Sequence, residues 1–203
     1  MENLNLEPIE SLGQLLAYYQ SDLEYIANFK LFLNNKKEVD DYLTCKKGFQ
    51  EFINEFRIAR NIKKQKVKEL ILFIKNSKLL ENVNAVDAFA EEMKNNRLTH
   101  EDKIMTVLAS KIFFLNKPDK IIPMDSLNKK SLGIKGNKYK DFKIKVDGFI
   151  VENRNTIASH IKSIIHLLTE IENNVNVKIN FEAYRINRFT DKYLWTQGKN
   201  KTK

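Results

Sequence analysis

Apolar side chains recur along this chain at spacings of three and four, the period of a helix that buries one face. From Ile9 to Phe32 they fall at Leu12, Leu15, Leu16, Tyr19, Leu23, Ile26 and Ala27, which predicts a long amphipathic helix. Phe49, Phe52, Ile53 and Phe56 mark a second helix, and Val67, Leu70, Ile71 and Ile74 a third. A shorter one is expected around Val86, Phe89, Ala90 and Met93, ending at Asn95 and Asn96. Thr99 followed three residues later by Asp102 has the form of a reciprocal cap, and Pro118 stops the pattern, so a helix is predicted over His100–Asn116. Its apolar face reads Ile104, Val107, Leu108, Ile112 and Leu115, with the ammonium of Lys111 in the middle of that face. Asp125 is placed to cap a short helix from Leu127 to Leu132. Two more helices are expected, from Arg154 to Glu172 and from Phe181 to Thr196. Between them Val175, Val177 and Ile179 alternate as in a strand, too briefly to claim a sheet.

Composition agrees with a mainly α fold. Six glycines and three prolines in 203 residues leave few places to break helices. The length suits a multi-helix globular domain, read as an N-terminal helical lobe over 1–98 and a basic helical lobe over 99–203 within one compact unit. The single cysteine, Cys45, cannot form an intramolecular disulfide, the N-terminus lacks a basic start and apolar run, and no apolar stretch approaches the roughly 20 residues of a membrane span. A cytoplasmic protein without a membrane partner is expected.

Charge divides the chain. Residues 1–99 carry 15 basic and 15 acidic side chains, residues 100–203 carry 20 and 11, so the whole net charge of +9 lies in the second half. Ten lysines fall between Lys111 and Lys145 against Asp119, Asp125 and Asp141. Phosphate is the natural counter-charge, which points to nucleic acid, with Lys117, Lys120, Lys129 and Lys130 as contacts. Arg188 and Trp195, on one helical face with Asp191, offer a cation and a ring to a base, or equally pack the last helix onto the core. A solvated lysine-rich surface accounts for the same composition. Arg57–Lys68 carries six further positive charges.

Ala109-Ser-Lys111, then Phe113 to Asp119, Ile121-Ile-Pro-Met-Asp125-Ser126 and Leu132-Gly133 form the most distinctive block. This succession of helix, proline-containing crossing and aspartate resembles the helix-hairpin-helix DNA glycosylase superfamily, in particular bacterial proteins with an oxoguanine-glycosylase fold. Arg188-Phe-Thr-Asp191-Lys-Tyr-Leu-Trp195-Thr-Gln-Gly198-Lys199 resembles the C-terminal signature of the same small proteins. The resemblance covers roughly residues 99–199. It implies a two-lobed helical architecture, DNA rather than RNA as partner, and Asp125 as the carboxylate that stabilises positive charge at the sugar while a base leaves. Members with lyase activity also use a lysine amine, for which Lys111 is the candidate because burial on the apolar face would lower its pKa, although the family lysine lies further upstream. No cofactor is implied.

Other readings stay open. Asp125 serves equally as a plain N-cap, and Lys111 as a snorkelling side chain or the partner of Asp125 in a buried ion pair. Arg154-Asn-Thr-Ile-Ala-Ser-His160 resembles the active-site motif of HEPN ribonucleases, in which Arg154 would steady the phosphate and His160 handle the proton of a 2′-hydroxyl. On the pattern alone, His160 faces the core between Ile157 and Ile164. A non-enzymatic interaction protein is the third reading. His100, His160, His166 and Cys45 lack metal-ligand spacing, so no metal is expected, and the glycine-rich loops and nucleophile elbow of nucleotide, hydride-transfer and serine chemistry are missing.

Overall fold

A computed structural model describes residues 6–201. Among them all regular structure is helical, with no strand; one isolated antiparallel bridge joins Ile62 to Thr99. Helix α1 (Glu7–Leu33), 27 residues long, buries Leu15, Tyr19, Leu23, Ile26 and Phe29, the stripe expected from its spacing. Three short elements follow: α2 (Val39–Thr44), α3 (Phe49–Glu55) and α4 (Val67–Asn76), the last two separated by single 3-10 turns at Ala59–Asn61 and Lys64–Lys66. Helix α5 is Val86–Asn95.

Helix α6 (Thr106–Asn116) is the central post. Leu108, Ala109, Ser110, Ile112, Phe113, Phe114 and Leu115 are all buried, as in a helix enclosed on every side rather than on one. It starts six residues later than His100. Thr99 does not cap it: its Oγ1 donates to the Lys103 carbonyl at 2.7 Å, while Glu101 and Asp102 take left-handed backbone at φ 54° and 49°. The proposed reciprocal cap is therefore replaced by a 3-10 turn over His100–Asp102.

Helix α7 (Ser126–Ser131) begins at Asp125, whose carboxylate accepts the Asn128 amide at 2.8 Å, as expected of a cap. Helix α8 spans Tyr139–Ser163 and so begins fifteen residues before Arg154. Its first amides are capped from outside, the Tyr139 and Lys140 N–H groups donating to the Asp87 carboxylate of α5 at 2.7 and 3.0 Å. A bend at Ile164 leads to α9 (Ile165–Asn173), and α10 (Phe181–Asn200) closes the fold, capped by Asn180. Val175, Val177 and Ile179 lie in the connection between α9 and α10.

One hydrophobic core runs from Leu15 to Leu194 and includes residues of both sequence halves. Helix α1 packs on α10, α6 and α9, and α5 on α6 and α8, so the elements on either side of residue 98 interleave. Aromatic rings fill much of the interior, Phe52, Phe56, Phe114 and Tyr184 forming a chain of ring contacts from α3 through α6 to α10. No described helix is long and apolar enough to cross a membrane.

Candidate functional site

The site grows out of one hydrogen bond. Ser110 of α6 donates to the Val107 carbonyl at 2.9 Å, and its oxygen accepts the Met124 amide at 3.0 Å. That pins the proline-containing crossing to the central helix at adjacent positions in each segment, so that Lys111, next after Ser110, and Asp125, next after Met124, come within electrostatic reach of each other. They do not form an ion pair. The Lys111 ammonium donates instead to the Phe56 carbonyl at 2.8 Å, where α3 ends, and sits 5.8 Å from the Phe56 ring centre. Asp125 turns its carboxylate to the amides of Asn128 and Leu127.

Asn128, fully buried, ties this pair to α10. Its backbone N–H holds Asp125, while its side-chain amide donates to Asp191 at 2.7 Å and to the Pro123 carbonyl at 3.3 Å. Asp191 also accepts from Arg188 Nη1 at 2.7 Å, and the other guanidinium nitrogen of Arg188 bonds Asp22 of α1. The guanidinium plane lies 4.8 Å from the Phe114 ring centre. Lys192 completes the group, 4.0 Å from Asp191 and 4.6 Å from the Tyr18 ring centre.

Asp22, Asp125 and Asp191 thus face Lys111, Arg188 and Lys192, a balanced set gathered from α1, α6, the α7 cap and α10. It has an inner and an outer part. Asp22, Arg188 and Asp191 are buried; Lys111, Asp125 and Lys192 are half-buried, with Ser126 and Tyr18 exposed beside them. Burial lowers the Lys111 amine below the usual lysine range against the pull of Asp125, and burial followed by the neighbouring Arg188 lowers that of Lys192. Burial, then Asp191, raises the Asp125 carboxyl. Burial also raises Asp22, while Arg188, working against its own burial, is held protonated by Asp22 and Asp191. An amine made easier to deprotonate by burial is what amine attack requires, and Asp125 stands within its electrostatic reach.

The remaining residues singled out by sequence are dispersed. Arg188 is 2 % exposed and committed to two carboxylates, so it supports the site from inside and presents no charge at the surface. Its burial follows from α10 packing against α1 as well as α7. Lys129 donates to Gly136 and Asn137, and Lys130 to the Lys201 carbonyl at 2.8 Å. Lys117 is half-buried near Lys30 and Lys120 is exposed. Trp195 is half-buried under Lys199, which pairs with Glu10. Arg154 is exposed on α8 while His160 stacks on Phe189 at 5.6 Å. Six residues of helical rotation set those two about 120° apart.

Sequence reading missed Asp22, Asn128 and Lys192. Asp22 left a trace, since it interrupts the apolar stripe between Tyr19 and Ile26. Asn128 and Lys192 left none, because their roles depend on which helix lies opposite. Among the described residues no cluster of three or more His, Cys, Asp or Glu side chains is arranged to hold a metal. Compared with family models, with curated proteins and with solved structures, the chain matches none of them.

Proposed function

We propose that this protein binds DNA and excises a modified base, with Lys111 as the amine nucleophile and Asp125 as the carboxylate that stabilises the sugar as the base departs. The reading rests on one observation above all: a half-buried lysine, lowered towards its neutral form and free of an ion pair among the described residues, stands in the same cluster as a half-buried aspartate. The resemblance of the block from Ala109 to Gly133 to the helix-hairpin-helix glycosylases supports the role given to Asp125, while that of Lys111 rests on its burial.

In this scheme the target nucleotide leaves the stack and enters beside α7. The Lys111 nitrogen forms a bond to C1′ as the glycosidic bond breaks, and the base leaves with the bonding pair and takes the proton shed by the amine. The Asp125 carboxylate faces the positive charge that develops on the sugar. The aminal nitrogen then expels O4′, which takes a proton from water, leaving a protonated imine. Asp191, Asn128 and Arg188 position Asp125 and the α7 cap; no cofactor takes part.

Borohydride trapping on duplexes bearing oxidised, deaminated or alkylated bases tests this. The wild-type chain is expected to form a covalent adduct on at least one of them and Lys111→Ala none. Asp125→Asn keeps a capping oxygen and should retain stability while losing excision, whereas Asp125→Ala should also cost about 1 kcal/mol of stability. Trapping undiminished in Lys111→Ala, or excision undiminished in Asp125→Asn, overturns the assignment.

A further inference from the structure

An open groove of about 610 Å³ lies away from α7, between the segment Ala59–Gln65 and the turn at His100–Glu101. Its walls carry Arg60, Lys63, Lys64 and His100 against Glu101, over an apolar floor that includes the buried Ile62. The acids at its rim are already satisfied. Asp102 holds Lys63 at 2.7 Å, and Glu101 holds Lys103 with His100 at 3.7 Å. Arg60 and Lys64 are exposed and make no ion pair among the described residues, so the uncompensated charge of the groove is theirs.

The walls are fixed rather than loose. The Ile62–Thr99 bridge and the bond from the Lys63 amide to the Leu98 carbonyl, 3.3 Å, lock one to the other. Left-handed backbone at Glu101 and Asp102 shapes the turn that forms the second wall. The first wall continues directly from the peptide that holds the site lysine: Phe56 accepts the Lys111 ammonium, Arg57 turns the chain, and Arg60 follows.

We infer that this groove is a phosphodiester-binding site, in which Arg60 and Lys64 hold the oxygens of a nucleic-acid backbone while the Ile62 floor receives sugar. The inference rests on the nucleic-acid reading above and extends it to the N-terminal half, whose net charge of zero conceals a local excess of cations. It places a backbone anchor on the segment that also orients Lys111.

The test is binding of a short labelled duplex by fluorescence anisotropy across about 50 to 200 mM salt, with the full chain, Arg60→Gln/Lys64→Gln and the charge-conserving Arg60→Lys/Lys64→Arg. Both positions are exposed, and circular dichroism verifies that each variant is folded. Loss of two phosphate contacts should lower the slope of log K against log salt by about 1.8 and weaken binding several-fold, while the charge-conserving variant keeps the wild-type slope. A glutamine variant with wild-type slope and affinity overturns the groove but leaves the nucleic-acid reading standing. A wild-type chain that binds no duplex overturns both. Equilibrium dialysis with a deoxynucleoside monophosphate separates the two sources of phosphate: Arg60-dependent uptake of the monomer without Arg60-dependent duplex binding also overturns the inference.

Discussion

Gly198 of α10 lies so close to Leu127 of α7 that a Cβ on it would stand 2.1 Å from the Leu127 carbonyl oxygen. The obstacle is backbone, which cannot swing aside as a side chain does, and it belongs to the helix that Asp125 caps.

Gly198→Ala is therefore expected to push α7 off α10 and to cost about 1–3 kcal/mol. Gly13 supplies the opposite sign. It sits inside α1 with nothing within 4 Å of the place a methyl group would take, so Gly13→Ala should stabilise by about 0.5–1 kcal/mol through helix propensity alone. Urea denaturation of both variants checks the pair; equal stability of Gly198→Ala and wild type would mean that α7 is free to shift.

Arg188 neutralises two buried carboxylates, so its removal strands charge instead of merely deleting a contact. Arg188→Leu is expected to cost about 3–5 kcal/mol. Adding Asp22→Asn to that variant should return part of the loss, because one orphaned charge disappears. A double-mutant cycle in denaturant measures the coupling, and strict additivity of the two changes would contradict the network between α1 and α10.

Stability should climb with pH in the range just below the ordinary lysine value of about 10.4. The unfolded chain keeps its lysine protons until about pH 10.4, whereas Lys111 and Lys192 give theirs up earlier in the fold because they are buried. The unfolded state then binds more protons in that window, which makes the slope of unfolding free energy against pH positive. Near pH 10 the tyrosines oppose the climb: burial raises the Tyr19 and Tyr25 phenols, and an unfolded chain ionises its tyrosines there. Lys111→Met should flatten the rising part, as read from urea midpoints at several pH values. An unchanged profile would show that Lys111 titrates as an ordinary surface amine.

Local pattern carried the long helices well. The stripe from Leu15 to Phe29 and the stop at Pro118 are properties of neighbouring residues, and α1 and the end of α6 follow them. The start of α8 was illegible for the opposite reason, since its cap, Asp87, lies on another helix 52 residues upstream. Thr99 and Asp102 had the spacing of a cap, but the left-handed turn at Glu101 sent the Thr99 hydroxyl to a carbonyl. At the site, the fifteen residues from Lys111 to Asp125 carried a readable proline crossing, and both side chains stand in the same cluster. The support behind them, Asp22 with Arg188 and Asn128 with Asp191, spans 166 and 63 residues, and no local period reports such distances.

The clasp between Asp22 and Arg188 also sets an order of events during synthesis. Helix α1 is made early, yet the guanidinium that neutralises its buried acid arrives only with α10, long after the ribosome has released the lysine-bearing α6. Until then Asp22 has reason to remain hydrated, because a carboxylate buried without its cation is costly, and the contact between the first and last helices closes at the end of synthesis.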